Sequence, residues 1–259
     1  MAAPGAGSAQ RSVALVTGAG RGIGRGVAQR LSAQGLKVAL SARNEEELAQ
    51  TAEACDGETL VIPADITDPQ AADRIFTEVE QTWGTVDVLV ANAGAGTSAS
   101  VHKTTDEQWQ QMLDVNLTAP FRCIRRAVPP MLEQGYGRIV VIASIAARTG
   151  DPYIAAYTAS KHGVLGLVRS AATELARTGV TANAVCPAYV DTPMTDATVE
   201  GIVAKTGRSA AEARQILERK QPIGRLVTVD EVADAVWLCV TNGAVNGQGI
   251  NVDGGAVQS

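Results

Sequence analysis

Aromatic residues are scarce in this chain: Phe, Trp and Tyr together make up only 3% of its 259 residues. Hydrophobic residues still account for 46% of the sequence, so a core must be built from Val, Ile, Leu and Ala. That composition argues against a mainly disordered chain. It favours a parallel β-sheet buried on both faces, whose strands are rich in aliphatic residues.

Positive charge is also in short supply. The formal net charge is -5 and the sequence contains no run of Lys or Arg, so we expect no nucleic-acid partner. The apolar runs are much shorter than the roughly 20 residues that a membrane-spanning helix needs, so we expect no membrane partner. Residues 1–10 are small and polar and do not resemble a secretory signal, and we expect them to form a flexible tail.

Cysteine and histidine are few, with four and two residues. No two of the cysteines have the spacing of a metal or redox motif, and they do not suggest a disulfide framework. We therefore predict reduced thiols in a cytoplasmic protein. The sequence contains no metal-ligand cluster, so we predict no metal site.

A glycine-rich turn is the first feature that the sequence does contain. A Val-rich run over residues 12–17 leads into Gly18, Gly22 and Gly24, and a helical pattern follows to residue 34. Strand, glycine turn and helix in this order are typical of a dinucleotide site, because the glycines let a pyrophosphate approach the helix N-terminus. The alternative is an ordinary turn between a strand and a helix.

The end of the second predicted strand indicates which dinucleotide is bound. NAD-selective sites place Asp or Glu there, whereas a 2′-phosphate requires a cation. This chain has Ser41, Arg43 and Asn44 with no carboxylate before Glu45. Arg21 in the glycine turn is a second cation on the same side, so we predict NADPH. The alternative is that Arg43 lies on the adenine or in solvent and that Glu45 binds the ribose.

A second constellation lies in the middle of the chain. Tyr157 and Lys161 are four residues apart, which on a helix places both side chains on one face. A phenol beside a fixed ammonium has its anionic form favoured, so its proton becomes mobile nearer neutral pH. Ser144, at the end of an apolar strand, is placed to hold a carbonyl oxygen next to that phenol. The alternative is a surface tyrosine stacked along a lysine stem.

Strands alternate with helices about seven times, without a linker or an internal repeat. We therefore predict one domain over residues 11–259 with an α/β fold of Rossmann type: a doubly wound parallel sheet of about seven strands with helices on both faces. Residues 104–134 read as one long helical region that contains Asn116, where an Asn is costly unless it has a role or faces solvent. Residues 192–220 interrupt the alternation and are a candidate substrate lid.

Together these features resemble the short-chain dehydrogenase/reductase family, over the whole chain from about residue 11. The matching residues occur in the family's order: Thr17, Gly18, Gly22, Gly24, Asp65, Asn92, Ala93, Gly94, Asn116, Ser144, Tyr157 and Lys161. Within the family the chain most resembles the 3-oxoacyl thioester reductases and the aromatic-polyketide ketoreductases, through residues 157–175 and 222–225.

The resemblance implies a role for each residue. Tyr157 acts as the general acid in reduction, and Lys161 lowers its pKa and holds the nicotinamide ribose. Ser144 orients the substrate oxygen, and Asn116 fixes a water that connects Lys161 to bulk solvent. Asp65 accepts from the adenine amine or caps the helix that follows it. The implied cofactor-binding set is Gly18, Arg21, Gly22, Ile23, Gly24, Ser41, Arg43, Asn44, Asp65, Ile66, Asn92, Ala93, Gly94, Tyr157, Lys161, Pro187, Val190 and Thr192.

The activity implied is that of an NADPH-dependent ketoreductase that transfers a hydride to the carbonyl of a 3-oxoacyl thioester or a related ketone. The alternative is an NAD-dependent secondary-alcohol or 3-hydroxyacyl-CoA dehydrogenase that uses the same residues in the oxidative direction. A third reading is a non-catalytic dinucleotide sensor, but such proteins tend to lose the Tyr or the Lys. Members of the family are mostly tetramers, so we also expect a homotetramer.

Overall fold

The computed structural model of the protein describes residues 12–258, and the predicted flexible tail over residues 1–10 lies outside them. One parallel sheet of seven strands forms the centre, in the order β3-β2-β1-β4-β5-β6-β7. The strands are β1 (Val13–Thr17), β2 (Lys37–Ala42), β3 (Thr59–Pro63), β4 (Val88–Ala91), β5 (Gly137–Ile142), β6 (Val180–Pro187) and β7 (Gly249–Val252). The strand order reverses between β1 and β4, which is where a doubly wound sheet opens a crevice.

Nine α-helices accompany the sheet within the described residues. They are α1 (Gly22–Ala33), α2 (Glu45–Glu53), α3 (Ala71–Trp83), α4 (Asp106–Leu113), α5 (Ala119–Gln134), α6 (Ala155–Glu174), α7 (Pro193–Thr206), α8 (Ala210–Arg219) and α9 (Val229–Thr241). Helices cover both faces of the sheet, so the predicted fold class is confirmed.

Successive side chains of a strand enter two different cores, because each face of the sheet is covered. Leu15 of β1 belongs to the same apolar cluster as Phe76 of α3. The next residue, Val16, belongs to the cluster on the other face, with Leu31 of α1 and Val236 of α9. Burial on both faces explains why the strands are nearly continuous aliphatic runs.

The helical region predicted over residues 104–134 runs without a break from residue 106 to residue 134, and a π-helical turn divides it into α4 and α5. A π-helical turn, Asp114–Thr118, joins α4 to α5, and the Ala119 amide donates to the Asp114 carbonyl. A π turn is a wide helical turn that is frequently found at functional sites. Asn116 lies at its centre.

The segment after β6 forms two helices, α7 and α8, which are separated at Gly207. The sequence suggests a polar insertion, yet the two helices share a small apolar cluster that includes Val199, Ala213 and Leu217. Arg214 of α8 also pairs with Asp191, which precedes α7, at a nitrogen-to-oxygen distance of 2.8 Å. These contacts attach both helices to the loop that leaves β6.

None of the helices in residues 12–258 is both long and apolar enough to cross a membrane. Over that same range, no group of three or more His, Cys, Asp and Glu side chains is arranged to hold a metal ion. All four cysteines are free thiols, and Cys123, Cys186 and Cys239 are buried.

Candidate active site

A cleft of about 1400 Å³ lies at the carboxyl ends of the strands. Its lining contains every residue that the sequence analysis assigned to a site: Gly18, Arg21, Gly22, Ile23, Gly24, Ser41, Arg43, Asn44, Asp65, Ile66, Asn92, Ala93, Gly94, Asn116, Ser144, Tyr157, Lys161, Pro187, Val190 and Thr192. The structure therefore brings these residues together, while the role of each remains a prediction.

The glycine turn connects β1 to α1 at one side of the cleft. Gly18 and Gly22 have φ angles of 67° and 54°, in the left-handed region that glycine adopts without strain. Among the described residues no side chain caps the N-terminus of α1, whose N-cap position is Arg21. The first amide groups of α1 are therefore available to an anion.

Two polar side chains hold the ends of β1 and β4 together beside this turn. The Asn92 amide group donates to the carbonyls of Thr17 and Gly18, at 2.9 and 3.1 Å. The Thr17 hydroxyl accepts from the backbone amides of Asn92 and Ala93, each at 3.1 Å. Sequence reasoning assigned Thr17 no role of its own, although it precedes the glycine turn and matches the family's pattern.

Asn116 ties the π turn to the loop that follows β4. Its side-chain oxygen accepts from the Ala95 amide at 3.1 Å, and its side-chain nitrogen donates to the Ala95 carbonyl at 2.9 Å. A Cβ added to Gly94 would lie 3.0 Å from the Asn116 Oδ1 and 3.6 Å from the Lys161 Nζ, so glycine lets these groups converge. The pairing with Ala95 is a role that makes Asn tolerable in a helical region. The water-fixing role remains a prediction.

Ser144, Tyr157 and Lys161 meet on one wall of the cleft. The Ser144 side chain acts on the Tyr157 phenol by lowering its pKa, and the Ser144 Oγ accepts from the Ala146 amide at 3.1 Å. The Lys161 Nζ lies 5.7 Å from the centroid of the Tyr157 ring and donates to the Ile142 carbonyl at 2.9 Å. This bond anchors the ammonium at the end of β5. Lys161 is only 5% exposed, so the alternative of a surface stack is wrong.

The pKa of Tyr157 departs from its usual value in the direction opposite to the one predicted. Desolvation raises the pKa of the Tyr157 phenol, although the hydrogen bond with Ser144 acts to lower it. The prediction of a lowered pKa beside Lys161 is therefore wrong for these residues by themselves, because burial outweighs the favourable contacts. Burial also lowers the pKa of Lys161 to about 8.

These two pKa shifts predict the alkaline limit of reduction. Below about pH 8 Lys161 carries its charge in the folded protein, and above it the ammonium is lost, while Tyr157 keeps its proton. We therefore expect kcat/KM for reduction to fall as the pH rises through about 8, because the forming phenolate loses its cation. A pH profile from about pH 6 to about pH 10 measures this.

Lys161→Arg is the control for the pH profile, because a guanidinium stays protonated above about pH 12. The variant should have a lower rate and no fall near pH 8. A wild-type profile that stays level to about pH 10 would contradict the assignment of the limit to Lys161.

The opposite end of the cleft is where the 2′-phosphate is predicted to bind. Arg43 is exposed there, whereas Asn44 caps α2 by accepting from the amides of Glu46 and Glu47 at 3.0 and 3.2 Å. The side-chain amide nitrogen of Asn44 is thus its remaining donor for a ligand. Arg21 lies 3.8 Å from the Glu47 carboxylate in an exposed ion pair, which is weak, so its role as a second cation remains a prediction.

Asp65 follows β3 at the edge of the cleft. Its Oδ1 accepts from the Thr67 amide at 2.9 Å and from the Thr67 hydroxyl at 2.7 Å, and these bonds lower the pKa of Asp65. Of its two predicted roles, helix capping is wrong, because α3 begins at Ala71 and no side chain in residues 12–258 caps it. The contact with an adenine amine remains a prediction.

The loop after β6 faces the glycine turn. A Cβ added to Gly22 would lie 3.4 Å from the Thr192 Cγ2. Thr192 and Thr195 are buried, and their hydroxyls donate to the Val190 carbonyl at 3.3 and 2.6 Å. Sequence reasoning missed Thr195, which holds the two residues predicted to contact the nicotinamide carboxamide.

Comparisons with known proteins agree with this geometry. The family model described as short chain dehydrogenase matches residues 12–202. The chain is 40% identical to the 3-oxoacyl-[acyl-carrier-protein] reductase MabA of Mycobacterium tuberculosis, over 95% of this chain and 92% of that protein. It is 33% identical to a D-beta-hydroxybutyrate dehydrogenase of Rhizobium meliloti, over 93% and 97%.

A solved structure of an actinorhodin polyketide ketoreductase variant with NADPH matches with a TM-score of 0.90. Its sequence is 38% identical, and the match covers 96% of this chain and 99% of that chain. The match of the family model and the near-complete coverage of these relatives show that the chain belongs to the short-chain dehydrogenase family of oxidoreductases.

Proposed function

We propose that the protein is a ketoreductase that uses NADPH to reduce the carbonyl of a 3-oxoacyl thioester or a related ketone. The observation that carries the proposal is that Ser144, Tyr157 and the buried ammonium of Lys161 line one cleft, with the Lys161 Nζ 5.7 Å from the centroid of the Tyr157 ring. The reductase MabA and the actinorhodin ketoreductase, which are named for reactions of this kind, support the substrate class.

The cleft residues fit a phosphorylated dinucleotide. Gly18, Gly22 and Gly94 present only backbone to the cleft, and the first amides of α1 are uncapped by any described side chain. Arg43 adds a cation at the end of β2, where a 2′-phosphate requires one. NADPH supplies the hydride when it is bound.

The side chains of the protein supply the proton and stabilise the developing charge. The Ser144 hydroxyl is placed to donate to the substrate oxygen and so to orient it. Tyr157 then transfers its proton to that oxygen, and its raised pKa keeps the phenol protonated until this step. Lys161 stabilises the resulting phenolate with its ammonium.

Turnover with a model substrate tests the proposed activity. Mixing the protein with NADPH and acetoacetyl-CoA should consume the absorbance of the reduced cofactor and produce a 3-hydroxyacyl thioester. If NADPH binds and neither 3-oxoacyl thioesters nor cyclic ketones are reduced, the proposed substrate class is wrong.

We expect Arg43→Ala to weaken NADPH binding about tenfold and to change NADH binding by less than about twofold. The variant removes the cation that is proposed to pair with the 2′-phosphate, a group that NADH lacks. Quenching of the fluorescence of the reduced cofactor measures both dissociation constants. Arg74→Ala, which removes an exposed arginine of α3, is the matched control. Unchanged NADPH binding in Arg43→Ala would favour an NAD-dependent enzyme.

A second candidate is favoured by the relative from Rhizobium meliloti, named as a D-beta-hydroxybutyrate dehydrogenase. An NAD-dependent dehydrogenase of a secondary alcohol or 3-hydroxyacyl-CoA would use the same three side chains, with Tyr157 as the base. Steady-state rates separate the two candidates. If the protein is the NAD-dependent dehydrogenase, its kcat/KM for 3-hydroxybutyrate with NAD should exceed its kcat/KM for a 3-oxoacyl thioester with NADPH.

The helices α7 and α8 are the proposed substrate lid. Lys220, at the end of α8, pairs with Asp151 at 2.8 Å, and its Nζ lies 5.6 Å from the centroid of the Tyr189 ring. Asp151 belongs to the loop between Ser144 and α6, so this pair links the end of the lid to the catalytic wall. We expect hydrogen exchange over residues 193–219 to slow when substrate binds. Unchanged exchange there would contradict a lid.

We also propose that the protein is a homotetramer of the cytoplasm. Trp109 of α4, Phe121 and Leu132 of α5 and Leu238 of α9 are exposed, which supports contact with other subunits. The four free thiols support a reducing compartment. A mass of one chain in light scattering would rule out the tetramer.

A further inference from the structure

Two side chains from α1 and α2 hold the glycine turn from the side away from the cleft. Arg25 donates from Nη2 and Nε to the Gly20 carbonyl at 2.6 and 3.1 Å, and its Nη2 also reaches the Glu47 carbonyl at 3.4 Å. The Thr51 hydroxyl lies 3.0 Å from the Ala19 carbonyl, 3.3 Å from the Gly20 carbonyl and 3.0 Å from the Glu47 carbonyl. We call Arg25 and Thr51 the clamp.

The two residues of the clamp contact each other, and the clamp connects α1 to α2. The Arg25 Nε donates to the Thr51 hydroxyl at 3.0 Å, and Thr51 is fully buried. Arg25 belongs to α1, and Thr51 belongs to α2 together with Glu47. The clamp therefore sets the position of α2 relative to the glycine turn. Neither Arg25 nor Thr51 is among the residues that line the cleft.

The contacts to the clamp decide which way the peptide groups of the turn point. In a trans peptide the N–H is opposite to the C=O, and no cis peptide occurs in the described residues. Carbonyls of Ala19 and Gly20 that point into the clamp therefore direct the amides of Gly20 and Arg21 the other way. Neither amide donates a hydrogen bond within residues 12–258, and both residues line the cleft.

The two amides lie at the adenosine end of the cleft. The neighbouring amide, that of Ala19, donates to the Ser41 carbonyl at 3.2 Å, which places the turn beside the end of β2. Arg43 follows Ser41 at this end, and a Cβ added to Gly20 would lie 3.0 Å from the Glu47 Cβ. The amides of Gly20 and Arg21 thus share the 2′-phosphate end of the cleft with Arg43.

The positive charge of Arg25 also affects the binding of an anion at the glycine turn. All the hydrogen bonds of its guanidinium within the described residues go to neutral acceptors: three carbonyl or amide oxygens and the Thr51 hydroxyl. A cation that is bound in this way keeps its positive field. The Glu47 carboxylate lines the cleft, with its Oε2 3.1 Å from a Cβ added to Gly20, so the charge of Arg25 offsets a negative charge at the place where the phosphate is proposed to bind.

We propose that Arg25 and Thr51 are positioning residues that set the preference for a dinucleotide with a 2′-phosphate. The proposal rests on the proposed use of NADPH. The clamp keeps the amides of Gly20 and Arg21 and the N-terminus of α2 at a spacing that accepts the extra phosphate. A cofactor without that phosphate depends less on this spacing, because its pyrophosphate binds at the N-terminus of α1.

The test compares binding of NADPH and NADH to Arg25→Met and Thr51→Val by fluorescence titration. Met retains the length of the side chain without its donors, and Val retains the shape of Thr without the hydroxyl. We expect each variant to raise the dissociation constant of NADPH about tenfold and that of NADH by less than about threefold. With saturating NADPH, kcat should change by less than about twofold, which separates positioning from chemistry.

Thr51→Ser, which keeps the hydroxyl, and Arg74→Met, on the exposed surface of α3, should both retain the wild-type ratio of the two dissociation constants. Melting temperatures are recorded for all variants. If Arg25→Met does not fold, Thr51→Val carries the test alone, because it removes only the hydroxyl that contacts the turn and retains the branched shape of the side chain.

Equal weakening for both cofactors would show a merely structural role and overturn the proposal, as would an unchanged ratio in Thr51→Val. These outcomes leave the proposed function intact, since wild-type protein still binds and uses NADPH. If the wild-type protein binds neither cofactor, the proposed function fails and the clamp proposal fails with it.

Discussion

Tyr157→Phe should lower kcat for ketone reduction about 10³-fold while NADPH still binds with nearly wild-type affinity. The variant removes one oxygen atom and its proton from a half-enclosed wall of the cleft, and it leaves the ring in place. Since the phenol is the proposed proton donor, the substitution should slow the chemical step and leave cofactor binding unchanged. Single-turnover absorbance of the reduced cofactor measures that step, and fluorescence titration measures cofactor binding.

Tyr136→Phe is the matched control for this prediction. Tyr136 precedes β5 at the other end of the sheet, where the Arg138 guanidinium lies 4.4 Å from its ring centroid. Removal of the Tyr136 hydroxyl should not change the rate of ketone reduction. A Tyr157→Phe protein that keeps more than about a tenth of the wild-type rate would show that another group donates the proton.

Gly24→Ala should abolish cofactor binding at concentrations about 100 times the wild-type dissociation constant. A Cβ at this position would lie 2.5 Å from the Asn92 Nδ2, and it would overlap the Gly18 carbonyl. Neither neighbour can move freely, because the Asn92 amide is bonded to the carbonyls of both Thr17 and Gly18. The added methyl group must therefore displace the glycine turn or α1. Calorimetric titration with NADPH measures the loss of binding.

Gly201→Ala provides the comparison for this substitution. Gly201 lies inside α7, and an added Cβ there has no neighbour within 4 Å. In a helix interior Ala is favoured over Gly by about 1 kcal/mol, so this variant should bind NADPH normally and melt no lower than wild type. Normal NADPH binding by Gly24→Ala would mean that the turn is not the pyrophosphate site.

The sequence was sufficient to predict features that depend on local pattern. The spacing of Gly18, Gly22 and Gly24 between an aliphatic run and a helical pattern predicts the turn, because Gly18 and Gly22 adopt a backbone that few other residues allow and Gly24 leaves no room for a Cβ. Lys161 follows Tyr157 by four residues, which on any helix places the two side chains on one face. The alternation of strands and helices predicts the parallel sheet, since such strands need crossover connections.

The sequence was not sufficient for features that depend on contacts between distant segments. One example is the π turn that divides the region over residues 104–134: its centre, Asn116, pairs with the backbone of Ala95, and no local pattern reveals that contact. Another is the contact of Arg21 with Glu47, which places a carboxylate beside a cation that the sequence offers to a phosphate.

By itself, then, the sequence determined the family, the sheet and a set of residues that all line the cleft. Only the tertiary structure decided how those residues are charged and held. Tyr157 has a raised pKa and Lys161 a lowered one, because packing removes water from both. The physical reason is the same in each case: periodicity and backbone preference act over a few residues, whereas desolvation and hydrogen bonding depend on which distant segments the fold brings into contact.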